Sequence, residues 1–136
     1  MILICGNGGL ASSAEHFAAE LTGKFAYDIY IPCISLTANS AQLTALTNDI
    51  GWENVFAHLV DVFGRKGDTF IGMTTSKAPN ILKACVVASA KGMKVIQLDE
   101  DTLEGDTTAE KQEFALRFLH KLATHYKREV YERIQK

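Results

Sequence analysis

Short, dense apolar runs alternate along this chain with longer stretches in which apolar residues recur every three or four positions. That alternation predicts parallel strands separated by covering helices. Residues 2–5 read as a first strand, and Gly6-Asn7-Gly8-Gly9 follows at once. Residues 11–21 carry helical periodicity, with Ser12 or Ser13 as capping residues and Gly23 as a stop. A second short strand is expected over 32–36, a short helix over 40–47 and an amphipathic one over 54–63. Gly67 and Asp68 turn the chain into a strand over 69–73. A loop over 74–78 then leads into a helix over 79–91, with Pro79 at its first position. A fourth strand is expected over 95–98, an acidic loop over 100–106 and one long charged helix over 108–134.

The pattern implies an α/β fold, an open three-layer parallel sheet flanked by helices, in one domain spanning 1–136. A chain of 136 residues can bury one core and is too short for two. Apolar residues make up 47% and charged residues 22%, which excludes a disordered chain. The net charge of -2 leaves no basic footprint, so neither nucleic acid nor an anionic membrane is an expected direct partner. No apolar run reaches the roughly 20 residues of a membrane span, and the opening Met-Ile-Leu-Ile-Cys is too short for a signal peptide. Cys5, Cys33 and Cys85 are far apart and never spaced as CxxC. They read as reduced core thiols of a cytoplasmic protein. A sheet of about four strands, entered directly at the first residues, is small for this architecture, so self-association is expected.

In open parallel sheets, ligands bind beyond the carboxyl ends of the strands. Two loops there have suitable chemistry. Gly6-Asn7-Gly8-Gly9 can present backbone N–H groups to an anion at a helix N-terminus, although a plain structural turn explains it equally well. Thr74-Thr75-Ser76 offers three hydroxyls before another helix, and helix capping is the competing account. No GxxxxGK[ST] pattern occurs, which excludes a P-loop. Histidine and glutamate at His16 and Glu20 share one helical face and can share a metal or a proton. Taken alone, a functionless surface pair explains that spacing more simply. Gln112 and His120, eight apart, differ by roughly 80° in azimuth and ~12 Å along a helix, a separation long side chains can just bridge. His120 reads equally well as a partly buried core residue. His58, His125 and the run Lys127-Arg128-Glu129 read as solvated surface, Phe114, Phe118 and Leu122 as packing, and Trp52 as packing against the sheet.

The run CGNGGLASSAEHFAAELTGKF resembles the start of the sugar isomerase (SIS) domain of phosphoheptose isomerases. The resemblance continues through TALTNDIGWENVFAHLVDVFGRKGD, GMTTSKAPNILKA and KGMKVIQL, and resumes at TTAEKQEFALRFLH. It implies a flavodoxin-like fold and isomerisation of sedoheptulose 7-phosphate to D-glycero-D-manno-heptose 7-phosphate through an enediol, for lipopolysaccharide or capsule precursors. The family's phosphosugar contacts fall on Asn7, Gly8, Gly9, Asn48, Asp49, Thr74, Thr75 and Ser76, with Glu20 and Gln112 also touching substrate. Its zinc ligands, one ion per subunit, fall on His16, Glu20, Gln112 and His120, and its acid–base pair on Glu20 and His120. The resemblance further implies a cytoplasmic homotetramer whose sites lie at subunit contacts.

The chain departs from the family pattern in several places. Leu10 stands where the family has a serine, which removes a phosphate donor. The second phosphate loop, Thr74-Thr75-Ser76-Lys77-Ala78-Pro79, is one residue shorter, with Lys77 as a compensating charge. Asn39 replaces a common aspartate and Ala115 a common histidine. The helical hairpin before the first strand is missing, and residues 98–108 are too few for the family's last strand. These changes keep a second function in view, a non-catalytic SIS protein that senses a phosphosugar. A protein-binding scaffold, of the kind that binds the bacterial replication initiator, is the other non-catalytic reading.

Overall fold

The computed structural model describes residues 1–136. The elements run β1 (Ile2–Gly6), α1 (Gly9–Thr22), β2 (Cys33–Ser35), α2 (Ser40–Ile50), a single 3-10 turn (Trp52–Asn54), α3 (Val55–Phe63), β3 (Thr69–Met73), α4 (Pro79–Ala90), β4 (Lys94–Leu98) and α5 (Thr108–Gln135). All strand pairs are parallel and the order is β2-β1-β3-β4. The expected α/β fold with its long C-terminal helix is the one observed.

Strand alternation divides the core in two. Ile2, Ile4, Ile71, Met73 and Leu98 point to the layer of α1 and α5, where they meet Leu10, Phe17, Leu21, Ala115, Leu119 and Ala123. Leu3, Cys5 and Phe70 point the other way, against Val55, Phe56 and Leu59 of α3 and Ile81, Ala84 and Ala88 of α4. Both sheet faces are thereby covered, as a parallel sheet requires. All three cysteines are buried and unbridged. Burial pushes the Cys33 thiol up to about 12 and the Cys85 thiol up to about 11. No helix is long and apolar enough to cross a membrane.

Several local expectations are corrected. α1 begins at Gly9 with Gly8 at its N-cap, so Ser12 and Ser13 lie inside the helix, and the Ser13 hydroxyl donates to the Gly9 carbonyl at 3.3 Å. The positive φ of +57° at Gly8 lets the chain leave β1 and enter the helix within two residues. α2 runs on to Ile50 and buries none of its residues. Asn39, in the place of the common aspartate, still caps α2 by accepting from the Gln42 N–H at 3.1 Å. Trp52 does not reach the sheet; it is 43% exposed and packs on Phe56 with ring centroids 5.2 Å apart.

The largest correction concerns Lys127, which is fully buried rather than solvated. Its Nζ donates to the Gly23 carbonyl at 2.5 Å, at the end of α1. Burial holds its ammonium below the ordinary lysine range. The buried residues of α5 are Ala115, Leu119, Ala123 and Lys127, one every four positions. Lys127 therefore continues the apolar stripe and reaches out of it to a carbonyl at a helix C-terminus, where a cation is favoured.

Candidate active site

α1 and α5 lie side by side and run the same way. Gln112 of α5 meets Gly9 at the start of α1, and Lys127 meets Gly23 at its end. Ala14 of α1 and Ala115 and Ala123 of α5, all fully buried, keep the two backbones close. This pairing brings His120 onto the face of α1 that carries His16 and Glu20. Oε1 of Glu20 lies 2.8 Å from Nε2 of His16 and 2.7 Å from Nδ1 of His120. The two imidazoles stand edge to face with centroids 5.2 Å apart. The Phe25 ring lies 6.0 Å from that of His120. Glu20 is buried, while the His16 and His120 side chains are about half-exposed.

The donor atoms of His16, Glu20 and His120 all lie within 4.8 Å of one another. Two imidazole nitrogens and a carboxylate suit a borderline divalent ion such as zinc. Oε2 of Glu20 adds a second observation, being buried with no hydrogen-bond partner. Such an orphaned acceptor costs about 1–3 kcal/mol unless something outside the chain engages it. The three side chains therefore fit a metal ion, and the lone-pair capacity left at Glu20 equally fits a proton to be taken up.

The other end of α1 is built differently. A Cβ on Gly6 would lie 2.7–2.8 Å from Leu10, its backbone included, so only glycine allows this tight strand-to-helix turn. The Asn7 and Asn80 side chains form a reciprocal amide pair, each Nδ2 donating to the other's Oδ1, at 3.0 and 2.9 Å. Oδ1 of Asn80 also accepts from the Ile81 N–H at 3.0 Å. Asn80 is buried, and it clamps the first loop to the start of α4. A Cβ on Gly9 would lie 2.8 Å from the Gln112 amide, so that glycine makes the seat for the glutamine. Leu10, expected to cost the loop a phosphate donor, instead points into the core with 1% exposure. A serine there would face hydrocarbon rather than ligand.

The second loop is closed on itself. Thr74 is buried, and its Oγ1 accepts from the Ser76 and Ala78 N–H groups at 3.2 and 3.4 Å and meets the Ser76 hydroxyl at 3.2 Å. Lys77 does not stand free as a compensating charge. Its Nζ lies 2.9 Å from Asp101 and 3.9 Å from Glu100, and the Asp101 contact raises its pKa.

The residues expected at one site thus fall into three groups. His16, Glu20 and His120 converge. Asn7, Gly8, Gly9, Gln112, Thr74, Thr75 and Ser76 lie at the carboxyl edge of the sheet. Gly9 and Glu20 are eleven residues apart on α1, about 16 Å along its axis. Asn48 and Asp49 are exposed on α2, with Nδ2 of one 3.5 Å from Oδ1 of the other. His125 and His58 are exposed, as expected, though His125 has a neighbour in Glu129 at 3.5 Å. The sequence reading missed Lys127, Asn80 and Asp101. Only Lys127 left a signal, its four-residue register with Ala115, Leu119 and Ala123.

Fold and site together define an α/β protein of the doubly wound parallel type with a histidine–carboxylate–histidine centre between its first and last helices. The family model described as SIS domain matches residues 1–99, and the chain belongs to that family. Phosphoheptose isomerases from Helicobacter pylori (strain P12) and Chlorobaculum parvum are 50% and 42% identical to it, over 99 and 101 residues. Each alignment takes in 71% of this chain, but only 52% and 48% of the relatives, so the chain spans about half the length of the curated relatives it matches. The solved phosphoheptose isomerase from Neisseria gonorrhoeae superposes with a TM-score of 0.80 at 33% identity, covering 90% of this chain and 73% of that one. The enzyme from Francisella tularensis gives 0.86 at 30% identity, with 93% and 76% covered.

Proposed function

We propose that this chain isomerises a phosphorylated seven-carbon ketose to its aldose, sedoheptulose 7-phosphate to D-glycero-D-manno-heptose 7-phosphate. One observation carries the reading: a buried Glu20 carboxylate held through Oε1 by His16 and His120, with Oε2 left free. Zinc is the metal proposed for His16, Glu20 and His120, with Gln112 of a second copy as a fourth donor, because this chain's own Gln112 is seated against Gly9. Bound there, it would act as a Lewis acid on the sugar's oxygens. The chain's own groups carry the proton transfers. Glu20 takes the proton at Oε2 from the carbon beside the carbonyl and delivers a proton to the former carbonyl carbon, while His120, half-exposed beside it, moves the hydroxyl proton from one oxygen of the enediol to the other. Asn7, Gly8, Gly9, Asn48, Asp49, Thr74, Thr75 and Ser76 are the proposed phosphosugar contacts. Because the carboxyl-edge loops lie about 16 Å along α1 from Glu20, a second copy of the chain supplies them in the proposed homotetramer. The product would feed heptose precursors of a bacterial surface polysaccharide, in the cytoplasm, where buried unbridged thiols belong.

The self-closed second loop favours one alternative, a non-catalytic SIS protein that binds a phosphosugar or another protein. Proton NMR of sedoheptulose 7-phosphate in deuterated buffer, with and without zinc, separates the two. Solvent deuterium at the carbon next to the carbonyl, aldose product, and loss of both in Glu20→Gln are expected. Line broadening without exchange in the wild-type chain would leave the sensor; no response would leave the scaffold.

A further inference from the structure

The second loop and the acidic segment after β4 are zipped together. The ladder between β3 and β4 continues past the strands, with the Thr74 N–H donating to the Leu98 carbonyl at 2.9 Å and the Glu100 N–H to the Ser76 carbonyl at 3.2 Å. The acidic segment is itself firmly built. Asp99 is buried, and its carboxylate accepts from Nε2 of Gln97 at 2.8 Å and from the Asp101 N–H at 2.9 Å. Its carbonyl accepts from the Leu103 N–H at 2.8 Å, and Leu103 is anchored in the core beside α1 and α5. The outcome is that the Asp101 carboxylate is held 2.9 Å from the ammonium of Lys77, just before α4 begins.

Lys77 is the one cation in the second loop; two carboxylates, Asp101 and Glu100, stand against it, and the charge of Asp99 adds to theirs. A dianionic phosphate approaching Thr74-Thr75-Ser76 meets a loop whose positive charge is engaged and whose surroundings are net negative. We propose that Asp101 is a specificity-determining residue: an internal carboxylate that competes with the ligand's phosphate for Lys77, so that binding at this loop requires the exchange of one anion for the other. This rests on the reading of the second loop as the phosphate subsite. It makes the chain selective against strongly anionic ligands present at low concentration, and it makes loop occupancy more sensitive to ionic strength than a free-lysine loop would be.

Calorimetric titration of the full chain with inorganic phosphate at low ionic strength tests this. Asp101→Asn keeps the shape of the side chain, which is 69% exposed, and Glu100→Gln/Asp101→Asn removes the second acid as well. Both variants should bind phosphate about three- to tenfold more tightly than the wild type, with the gain shrinking below about twofold in 0.5 M salt. Lys77→Met should abolish the gain when combined with Asp101→Asn. Glu104→Gln, an exposed acid nearby, should give a smaller change than Asp101→Asn. Equal affinities for Asp101→Asn and wild type, a gain that persists without Lys77, or no measurable phosphate binding in any variant would each overturn the proposal. A Lys77-dependent gain in a chain that exchanges no deuterium into sedoheptulose 7-phosphate would instead retain it and discard the isomerase.

Discussion

The two ends of α1 handle polar groups in opposite ways. At the end near Thr22, Glu20 is buried with one oxygen shared between two histidines and the other unpartnered. At the end near Gly9, the buried polar side chains are paired: Asn7 against Asn80, Thr74 against its own loop, and the more exposed Lys77 against Asp101. A fully satisfied network stiffens a fold, whereas spare capacity in a buried group is tolerated only where something else engages it. Composition alone would have ranked the two regions the other way, since glycines and hydroxyls are the customary signs of a phosphate site. The difference teaches that the capacity left over after folding, not the inventory of polar residues, marks where chemistry can occur.

The comparison breaks most sharply at Glu20. Glu20→Gln should lower zinc affinity by about 100-fold or more, read by competition with a chelating dye, while the melting temperature holds or rises. A large drop in melting temperature with zinc retained would make Glu20 a scaffold residue and erase the contrast. Leu10→Ser tests the opposite end. It should cost about 3 kcal/mol or more in urea unfolding, because it replaces a buried leucine with an unpaired hydroxyl in hydrocarbon. Tighter phosphate binding at unchanged stability would show that residue 10 faces the loop after all. Asn80→Ala should cost about 2 kcal/mol by stranding the Asn7 amide, and it should leave zinc affinity untouched.

The smallest effect concerns the thiols. Burial disfavours the thiolate, so Cys33, pushed up to about 12, and Cys85, up to about 11, should react slowly with a thiol reagent at pH 8. Their rates should still be climbing above about pH 10, where an ordinary thiol has levelled off. A rate profile with its midpoint near pH 8.5 would place one of them at the surface.

Much of the fold was legible because strands and helices differ in period. All four strands lie within two residues of their expected ends, and each expected helix is present, α2 running three residues past its expected end. The misreadings share a cause. Leu10, Trp52 and Lys127 each sit where local pattern is silent about which neighbour lies beyond the side chain. Leu10 follows a glycine turn that aims it inward, and Lys127 is a charged residue in an apolar register. At the candidate site, the His16–Glu20 pair was readable from its spacing. His120 was suggested by resemblance but could not be placed from the sequence of α5 alone. Lys77 looked like a free charge because its partner lies 24 residues away, beyond β4.

The sequence by itself determined the order of strands and helices, the glycine turn into α1 and the placing of His16 and Glu20 on one helical face. These follow from short-range geometry, in which residues four apart on a helix are neighbours wherever that helix packs. Only the tertiary structure decided that His120 meets Glu20, that Lys127 is buried against Gly23 and that Asp101 takes Lys77. Those contacts depend on which helices share a face of the sheet and on their axial offset. Packing of Leu10, Phe17, Ala115, Leu119 and Ala123 against the strands settles that offset, and no local periodicity encodes it.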